Sequence, residues 1–327
     1  MASSLPINWK FRALALSRDD FQIAEESIWE NGRCLLDVRG STVSFMPRSG
    51  DEHRKNSGLR FSGSALSILA DDDMDASLRL LKQAFSKHVS NFELVSTFNL
   101  KQDSFPSREI GPKGENLSGF IHQISDGTRE RVYARMREFF PNVSGLQREI
   151  KQDELVKLSS FEKNIRVLLP DGSALSNGIS SRHFSDGFTR ILAIVAQIES
   201  SAVPGNVNAQ DRILLLDEIE NGVHPETMAK LVQYLAAAPV QVIATTHSPL
   251  ILNDLTDAQA EASVIVLYRN SKGRTRSCRY FDLPSAKKKL GILGPGEVYV
   301  DTSIEQIARE AEEMEGRAPE AAGASTQ

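Results

Sequence analysis

The stretch between residues 213 and 244 constrains the fold of this chain more than any other. Two short apolar runs, Ile213 to Leu216 and Val240 to Ala244, flank a helical apolar stripe from Met228 to Leu235. Strands that alternate with a helix are typical of a parallel sheet, because a crossover helix returns the chain to the edge where the next strand begins. Another apolar stripe, Ile191 to Ile198, predicts a buried helix just before the first run. The second half is therefore predicted to be α/β.

The first half follows a different pattern. Segments rich in β-formers, Phe11 to Leu16, Phe21 to Trp29 and Val43 to Met46, are separated by turn residues such as Asn31-Gly32. This spacing predicts an antiparallel meander. Residues 47–64 have little apolar content and are predicted to form a loop, and helical periodicity predicts a helix over 74–88.

Composition excludes several classes of protein. The 327 residues include 38 Lys and Arg against 43 Asp and Glu, a net charge of −5. This charge does not favour nucleic acid as a partner, and any such contact would need a local basic patch. The arginines at 129, 131, 135 and 137 alternate with Glu130 and Glu138, which favours a solvated helix face over such a patch. Apolar runs are far shorter than the ~20 residues that span a membrane. The two cysteines, Cys34 and Cys278, lie far apart in the sequence and do not form a disulfide framework or a CxxC metal motif, which fits a reducing compartment. We therefore expect a cytoplasmic protein with no membrane partner.

The run from Ile213 to Leu216 ends in two acids, Asp217 and Glu218. A parallel strand delivers both carboxylates to the carboxyl edge of the sheet, where open α/β folds bind ligands. One acid can hold Mg²⁺ through its water shell while the other polarises a water that attacks a phosphate. The alternative is a core strand that runs into an acidic helix cap.

Two further segments belong to the same hypothesis. His247 follows the run Val240 to Ala244 and can reach the same edge. Ser185, Asp186 and Gly187 precede a helix, where a hydroxyl and a backbone amide make an anion site. A structural histidine and an ordinary helix cap are the respective alternatives.

Taken together, the segments FSDGF, ILLLDEIENGVHP and ATTHSP resemble the signature motif, Walker B with D-loop, and switch histidine of ABC-type ATPases. They are most similar to the SMC-like AAA branch that includes the OLD-type ATPases. The resemblance implies an α/β, ABC-type P-loop NTPase core with a mainly parallel sheet, plus an antiparallel β meander and a helical arm. It also implies ATP and Mg²⁺ as cofactors.

The resemblance further implies a role for each matching residue. Asp217 would hold Mg²⁺ through water, Glu218 would act on the attacking water, and His247 would sense the γ-phosphate. Ser185, Asp186 and Gly187 would form the nucleotide-binding segment that faces a nucleotide carried by the partner. The implied partner is a second ATPase subunit that carries a P-loop, in a homodimer or a heterodimer.

One element of the family is missing from the sequence. No Gly-Lys dipeptide occurs, and Gly111-Pro112-Lys113-Gly114 is rejected as a P-loop because Pro112 lacks an amide donor. We expect the amino-terminal strand, phosphate loop and helix to be encoded upstream, lost, or supplied in trans. The expected domains are a β and helical arm subdomain (1–160), an ATPase core (161–285), and a carboxyl-terminal helix with a frayed tail (286–327).

Two functions remain open on the sequence alone. The first is an ATPase core, incomplete in this chain. The alternative is a non-catalytic, truncated or degenerate ATPase that acts as an interaction module or half-site partner. The residues do not identify what such an ATPase acts on.

Overall fold

The computed structural model describes residues 7–15, 21–49, 53–58, 64–87, 89–92, 97–111, 113–163, 167–168, 174–175, 178–201 and 213–317. The chain divides into two compact units, Met1–Val89 and Ser90–Gln327. The expected boundary at residue 160 falls inside the second unit, and the assignment of separate roles to residues 1–160, 161–285 and 286–327 stays a prediction. Within the described ranges, no helix is long and apolar enough to cross a membrane.

The first unit contains a five-stranded antiparallel sheet whose strands pair in chain order. Its strands are β1 (Ile7–Ala15), β2 (Phe21–Glu30), β3 (Arg33–Arg39), β4 (Thr42–Phe45) and β5 (Arg54–Asn56). The predicted meander is confirmed, and Asn31 and Gly32 have the positive φ angles, 51° and 79°, that a tight hairpin turn favours. The prediction of a loop over 47–64 is wrong for β5. This strand is fully exposed and pairs with β4 through its backbone, so no apolar alternation marks it in the sequence.

The core of this unit lies between the sheet and helix α1 (Ala76–Lys87), which matches the helix predicted over 74–88. Glu26 is buried in β2 with 1% of its surface exposed. Its carboxylate accepts hydrogen bonds from Trp9 Nε1 (2.9 Å), Ser64 Oγ (2.6 Å) and Ala65 N (2.7 Å). The buried charge is therefore satisfied within the unit.

The second unit combines helices with several small sheets. Its helices are α2 (Leu117–Gln123), α3 (Asp126–Phe139), α4 (Asp186–Ser201), α5 (Pro225–Ala236), α6 (Asp257–Ser263), α7 (Pro284–Leu290), α8 (Pro295–Val300) and α9 (Ile304–Arg317). Its strands are β6 (Val89–Phe92), which begins at the division between the units, β7 (Val143–Ile150), β8 (Val156–Glu162), β9 (Val167–Leu168), β10 (Ala174–Leu175), β11 (Ile179–Ser180), β12 (Ile213–Leu216), β13 (Gln241–Ala244), β14 (Ile265–Arg269) and β15 (Thr275–Arg279).

The sheet that carries the predicted acids has the strand order β13-β12-β6. β12 and β13 are parallel, and Ile213 pairs with Gln241 while Leu216 pairs with Ala244. This pairing confirms the parallel arrangement predicted for the two apolar runs. Four other strand pairings in this unit are antiparallel: β7 with β8, β11 with β8, β9 with β10, and β14 with β15. The parallel part of the described fold is thus smaller than the mainly parallel core that the sequence predicts.

Helix α4 is the most deeply buried helix segment in the second unit's main core. Helix α3 packs against it. The prediction of a solvated face holds for Arg135 and Arg137, which are exposed, and is wrong for Arg129, which is buried. Arg129 is 8% exposed and its Nε donates to the carbonyl of Ile121. Arg131 and Arg135 both pair with Glu199 of α4, at 3.1 and 3.4 Å. Their role is to join two helices, and the alternation of charges in the sequence did not reveal the partner on α4.

Candidate functional site

The two predicted acids stand at the end of β12, next to the end of β13. The backbone ladder continues past the strands, because Thr245 N donates to Leu216 O (2.9 Å) and Ile219 N donates to Thr245 O (3.2 Å). Asp217 is exposed and Glu218 is half-buried. The sequence therefore folds so that both carboxylates lie beside the segment that follows β13.

Thr245 connects the two acids through its hydroxyl. Its Oγ1 donates to Asp217 Oδ1 and accepts from the backbone N–H of Glu218 (2.9 Å). The sequence analysis did not single out Thr245. The signal that could have found it is its register, since it directly follows Ala244, the partner of the last residue of β12.

The carboxylate of Glu218 lies between two polar side chains. Asn221 Nδ2 donates to Glu218 Oε2, and His247 Nε2 lies 3.6 Å from Glu218 Oε1. The His247 side chain is 84% exposed, so its ring is accessible to a ligand. Its backbone N–H donates to Glu220 Oε1 (2.7 Å), which fixes the loop that carries it. Asp217, Glu218 and His247 are thus brought to one edge of the sheet.

The FSDGF segment caps helix α4. Ser185 Oγ accepts from Phe188 N at 3.3 Å, which is the geometry of an ordinary N-cap. Asp186 accepts hydrogen bonds from Lys101 Nζ and from Thr97 Oγ1, each at 2.6 Å. The hydrogen bond from Lys101, followed by that from Thr97, lowers the pKa of Asp186. The sequence analysis did not identify Lys101 or Thr97, because both lie more than 80 positions before the motif.

Gly187 is where the cap meets the turn that follows the acids. A Cβ atom at Gly187 would lie 2.7 Å from the carbonyl oxygen of Gly222 and 3.4 Å from Val223 Cα. Gly222 itself has a φ of +72°, with Asp186 Cβ 3.1 Å from where its own side chain would begin. Close packing against this turn is one physical reason for glycine at position 187, separate from any contact with a phosphate.

Arg190 links α4 to the acid pair, and the sequence analysis also missed it. It lies one helical turn after Asp186, is 4% exposed, and its Nη1 donates to the carbonyl oxygen of Glu218 (3.3 Å). Burial lowers the pKa of Arg190, while the charges of Asp186, Glu218 and Glu220 oppose that shift. The signal that could have found Arg190 is its place in the sequence, since it is a basic residue directly before the apolar stripe of Ile191 to Ile198.

The donor atoms at this edge are oxygens, which suit Mg²⁺. Asp217 and Glu218 supply carboxylates, and Thr245 supplies a hydroxyl that already contacts Asp217. Among the described residues, no group of three or more His, Cys, Asp and Glu side chains is arranged as a metal cage.

Comparison with known families gives one match. The family described as "AAA domain, putative AbiEii toxin, Type IV TA system" matches residues 121–253. That range covers less than half of the chain and includes Ser185, Asp217, Glu218 and His247. The match confirms that this segment resembles an AAA domain.

Among solved structures, the chain is similar to an Smc head domain with a coiled coil and joint derived from Pyrococcus yayanosii, with 10% identity, a TM-score of 0.35, and coverage of 62% of this chain and 31% of that one. It is also similar to an SmcHead bound to the C-winged helix domain of ScpA, with 10% identity, a TM-score of 0.40, and coverage of 78% and 74%. The chain spans less than a third of the first of these structures. Both likenesses are too distant to carry an argument about the site. Curated proteins give no significant sequence match.

Proposed function

We propose that this chain is the ATPase core of an SMC-like ABC/AAA protein and that its acidic sheet edge takes part in ATP hydrolysis. The observation that carries the proposal is the meeting of Asp217, Glu218 and His247 at the ends of two parallel strands, with His247 Nε2 3.6 Å from Glu218 Oε1. Adjacent strand ends are where open α/β folds bind ligands. The family match over residues 121–253 supports the same class of activity.

Each group at this edge has a chemical task in the proposal. Asp217 would hold Mg²⁺ through water, and the bound ion would offset negative charge on the phosphate oxygens. Glu218 would orient and polarise the attacking water, because its carboxylate is half-buried yet open to solvent. His247 would donate to the terminal phosphate from its exposed ring.

The proposal places the phosphate loop outside these 327 residues, in another segment of the same protein or in a partner. β13 offers that segment a place. In the part of the chain that the structure describes, β13 pairs with β12 alone, and Gln241 and Ala244 are exposed while Ile243 is 50% exposed. The position of β13 at the edge of this sheet supports an additional strand there, and its exposed isoleucine supports a further element on the same side, because parallel strands are ordinarily covered on both faces.

Calorimetry with Mg-ATP tests this assignment. The chain alone should bind weakly and release negligible phosphate, because most phosphate contacts in this class come from the loop. A version with a family P-loop segment joined ahead of residue 1 should bind tightly. Tight binding and steady turnover by the unmodified chain would contradict the placement of the loop. A joined chain that folds and still fails to bind would contradict the ATPase assignment itself.

A second candidate function is a half-site that completes the nucleotide site of a partner subunit. The α4 N-terminus favours it, since Ser185 and the first backbone amides of a 16-residue helix lie at its start, where helix dipoles favour anions. Asp186 is neutralised there by Lys101, so its own charge opposes an anion less. In this function Ser185, Asp186 and Gly187 would face a nucleotide carried by a homologous, P-loop-bearing subunit, in a homodimer or heterodimer.

Sedimentation distinguishes a half-site from an inert remnant. The chain is mixed with a P-loop-bearing homologue whose catalytic glutamate is replaced by glutamine, with and without ATP. Association that strengthens with ATP supports the half-site, and by linkage the chain must strengthen ATP binding on the partner by the same factor. Association that ignores ATP would remove this candidate.

A further inference from the structure

Glu218 has a backbone conformation that L-residues rarely adopt. Its φ is +46°, in the left-handed region, where the side chain crowds the following carbonyl. Among the described residues, two other non-glycines share a positive φ, Asn31 and Glu154, and both lie in exposed hairpin turns. Glu218 instead follows a buried strand. Such a conformation persists where surrounding contacts impose it.

The first contact that holds Glu218 comes from the segment after β13. Thr245 Oγ1 accepts the Glu218 N–H at 2.9 Å, and Thr245 O accepts the N–H of Ile219 at 3.2 Å. Ile219 is 8% exposed and packs in the main core. The chain on the carboxyl side of Glu218 is therefore fixed in two ways.

The second contact comes from α4. Arg190 Nη1 donates to the carbonyl oxygen of Glu218 at 3.3 Å across a separation of 28 residues, and the same oxygen accepts the N–H of Asn221 at 3.1 Å within the local turn. With 4% of its surface exposed, Arg190 has little freedom to find another position. The charges of Asp186, Glu218 and Glu220 all act on it, so it lies among the acids of the signature segment and of the turn after β12.

We propose that Arg190 and Thr245 are positioning residues that hold Glu218 in its left-handed conformation and so aim its carboxylate between Asn221 and His247. The inference rests on the proposed function in one respect, the assignment of Glu218 as the carboxylate that acts on water. Because Arg190 is one helical turn beyond Asp186, the position of this carboxylate depends on where the start of α4 lies.

The test compares glycine with alanine at position 218 by urea denaturation. It uses the 327-residue chain without an added P-loop segment. Both substitutions remove the carboxylate, but glycine adopts a left-handed conformation without the cost that alanine has. With Arg190 and Thr245 present, the unfolding equilibrium constant of Glu218→Gly should be lower than that of Glu218→Ala by about fivefold or more, which is the stability advantage of glycine. This advantage should shrink toward one when Arg190→Met or Thr245→Val is added, because the backbone can then relax.

Two controls make the comparison specific. Thr245→Ser keeps the hydroxyl and should keep the advantage. Glu154 is also left-handed, with a φ of 65°, and its turn is closed by Glu154 N donating to Lys151 O and Lys151 N donating to Leu155 O. Glu218 also has a local hydrogen bond, from Asn221 N, but adds to it the long-range contacts from Arg190 and Thr245. The advantage of glycine over alanine at position 154 should therefore be the same with and without Arg190.

An advantage at position 218 that survives both Arg190→Met and Thr245→Val would overturn the inference. If the glycine advantage shrinks in only one of these variants, the residue substituted in that variant is the positioning residue, and the role is refuted for the other residue. Should Arg190→Met fail to fold, the Thr245→Val and Thr245→Ser pair still decides the outcome for the hydroxyl. Arg190→Gln, which is shorter and uncharged but still polar, then replaces Arg190→Met and should also reduce the advantage. Failure of ATP binding in the joined chain would remove the proposed function without changing this result.

Discussion

Two helices of the second unit begin with the same three residues. α3 starts after Ser125 with Asp126 and Gly127, and α4 starts after Ser185 with Asp186 and Gly187. Both serines cap their helices alike, because Ser125 Oγ accepts from Thr128 N at 3.2 Å and Ser185 Oγ accepts from Phe188 N at 3.3 Å. The local chain is therefore sufficient to form the cap in both places.

The surroundings of the two caps differ. Asp126 is 91% exposed on its side chain and pairs closely with Arg129 of its own helix and, at 3.9 Å, with Arg148 of β7, whereas Asp186 pairs at 2.6 Å with Lys101 from 85 positions away. A Cβ at Gly127 would meet nothing within 4 Å, while one at Gly187 would meet the backbone of the turn after the acid pair. A Ser-Asp-Gly cap is thus a common structural device, and the elements packed around it decide whether it belongs to a site.

The largest expected difference between the two caps is in coupling to ATP. Ser185→Arg should remove the factor by which this chain strengthens ATP binding on a P-loop-bearing homologue, a coupling that is about 5–150-fold in typical cases. The long side chain would fill the space at the start of α4. Ser125→Arg is the matched control and should leave the factor unchanged. Fluorescent ATP titration of the homologue measures both, and equal effects of the two substitutions would refute the distinction.

The two glycines should differ in stability. Gly187→Ala should lower the free energy of unfolding by about 1–3 kcal/mol, because the new methyl group overlaps the Gly222 carbonyl. Gly127→Ala should raise it by about 0.5–1 kcal/mol, since its site is open and alanine favours helix. Urea denaturation gives both values. A neutral Gly187→Ala would show that α4 does not pack this closely on the turn.

The smallest expected effect concerns the charge of Asp186. Its pKa is lowered first by the hydrogen bond from Lys101 and then by that from Thr97. Because the pKa is lowered, the ionised carboxylate stabilises the fold fully at pH values above the ordinary pKa of aspartate, about 3.9. This contribution is lost as the pH falls through the lowered pKa. The pair is partly exposed, so the contribution is about 0.2–1 kcal/mol.

Carboxyl NMR titration measures this shift directly. Lys101→Met should raise the pKa of Asp186 toward its ordinary range, and Thr97→Val should raise it less. If neither substitution moves the titration, Lys101 and Thr97 do not hold Asp186 in solution.

Local patterns in the sequence were sufficient to predict most elements around the site. The run Ile213 to Leu216 is β12 as predicted, and the run Val240 to Ala244 differs from β13 by one residue. Apolar periodicity reports burial of a strand or helix against a core, so these elements were accessible. The short strand β5 was not, because its three residues are exposed and it is held by backbone pairing with β4 and by a salt bridge from Arg54 to Asp73.

The contacts that build the site were much less accessible from the sequence. Thr245, Arg190 and Lys101 act on residues 27, 28 and 85 positions away. No periodicity encodes such pairs, since they depend on how elements pack in three dimensions. The motifs indicated which acids and which histidine lie at the edge, and the fold added the groups that hold them there.

The central claim is that Glu218 acts on the attacking water, and one measurement tests it most directly. Phosphate release is followed in the chain joined to a family P-loop segment, with and without Glu218→Gln. Glutamine has nearly the size of glutamate, and its side-chain oxygen can still accept the hydrogen bond from Asn221, but it carries no negative charge. Turnover should therefore fall by about 10²–10⁴ while Mg-ATP binding is retained. Full turnover in the Glu218→Gln variant would contradict the assignment of Glu218 and, with it, the account of this edge as the hydrolytic site.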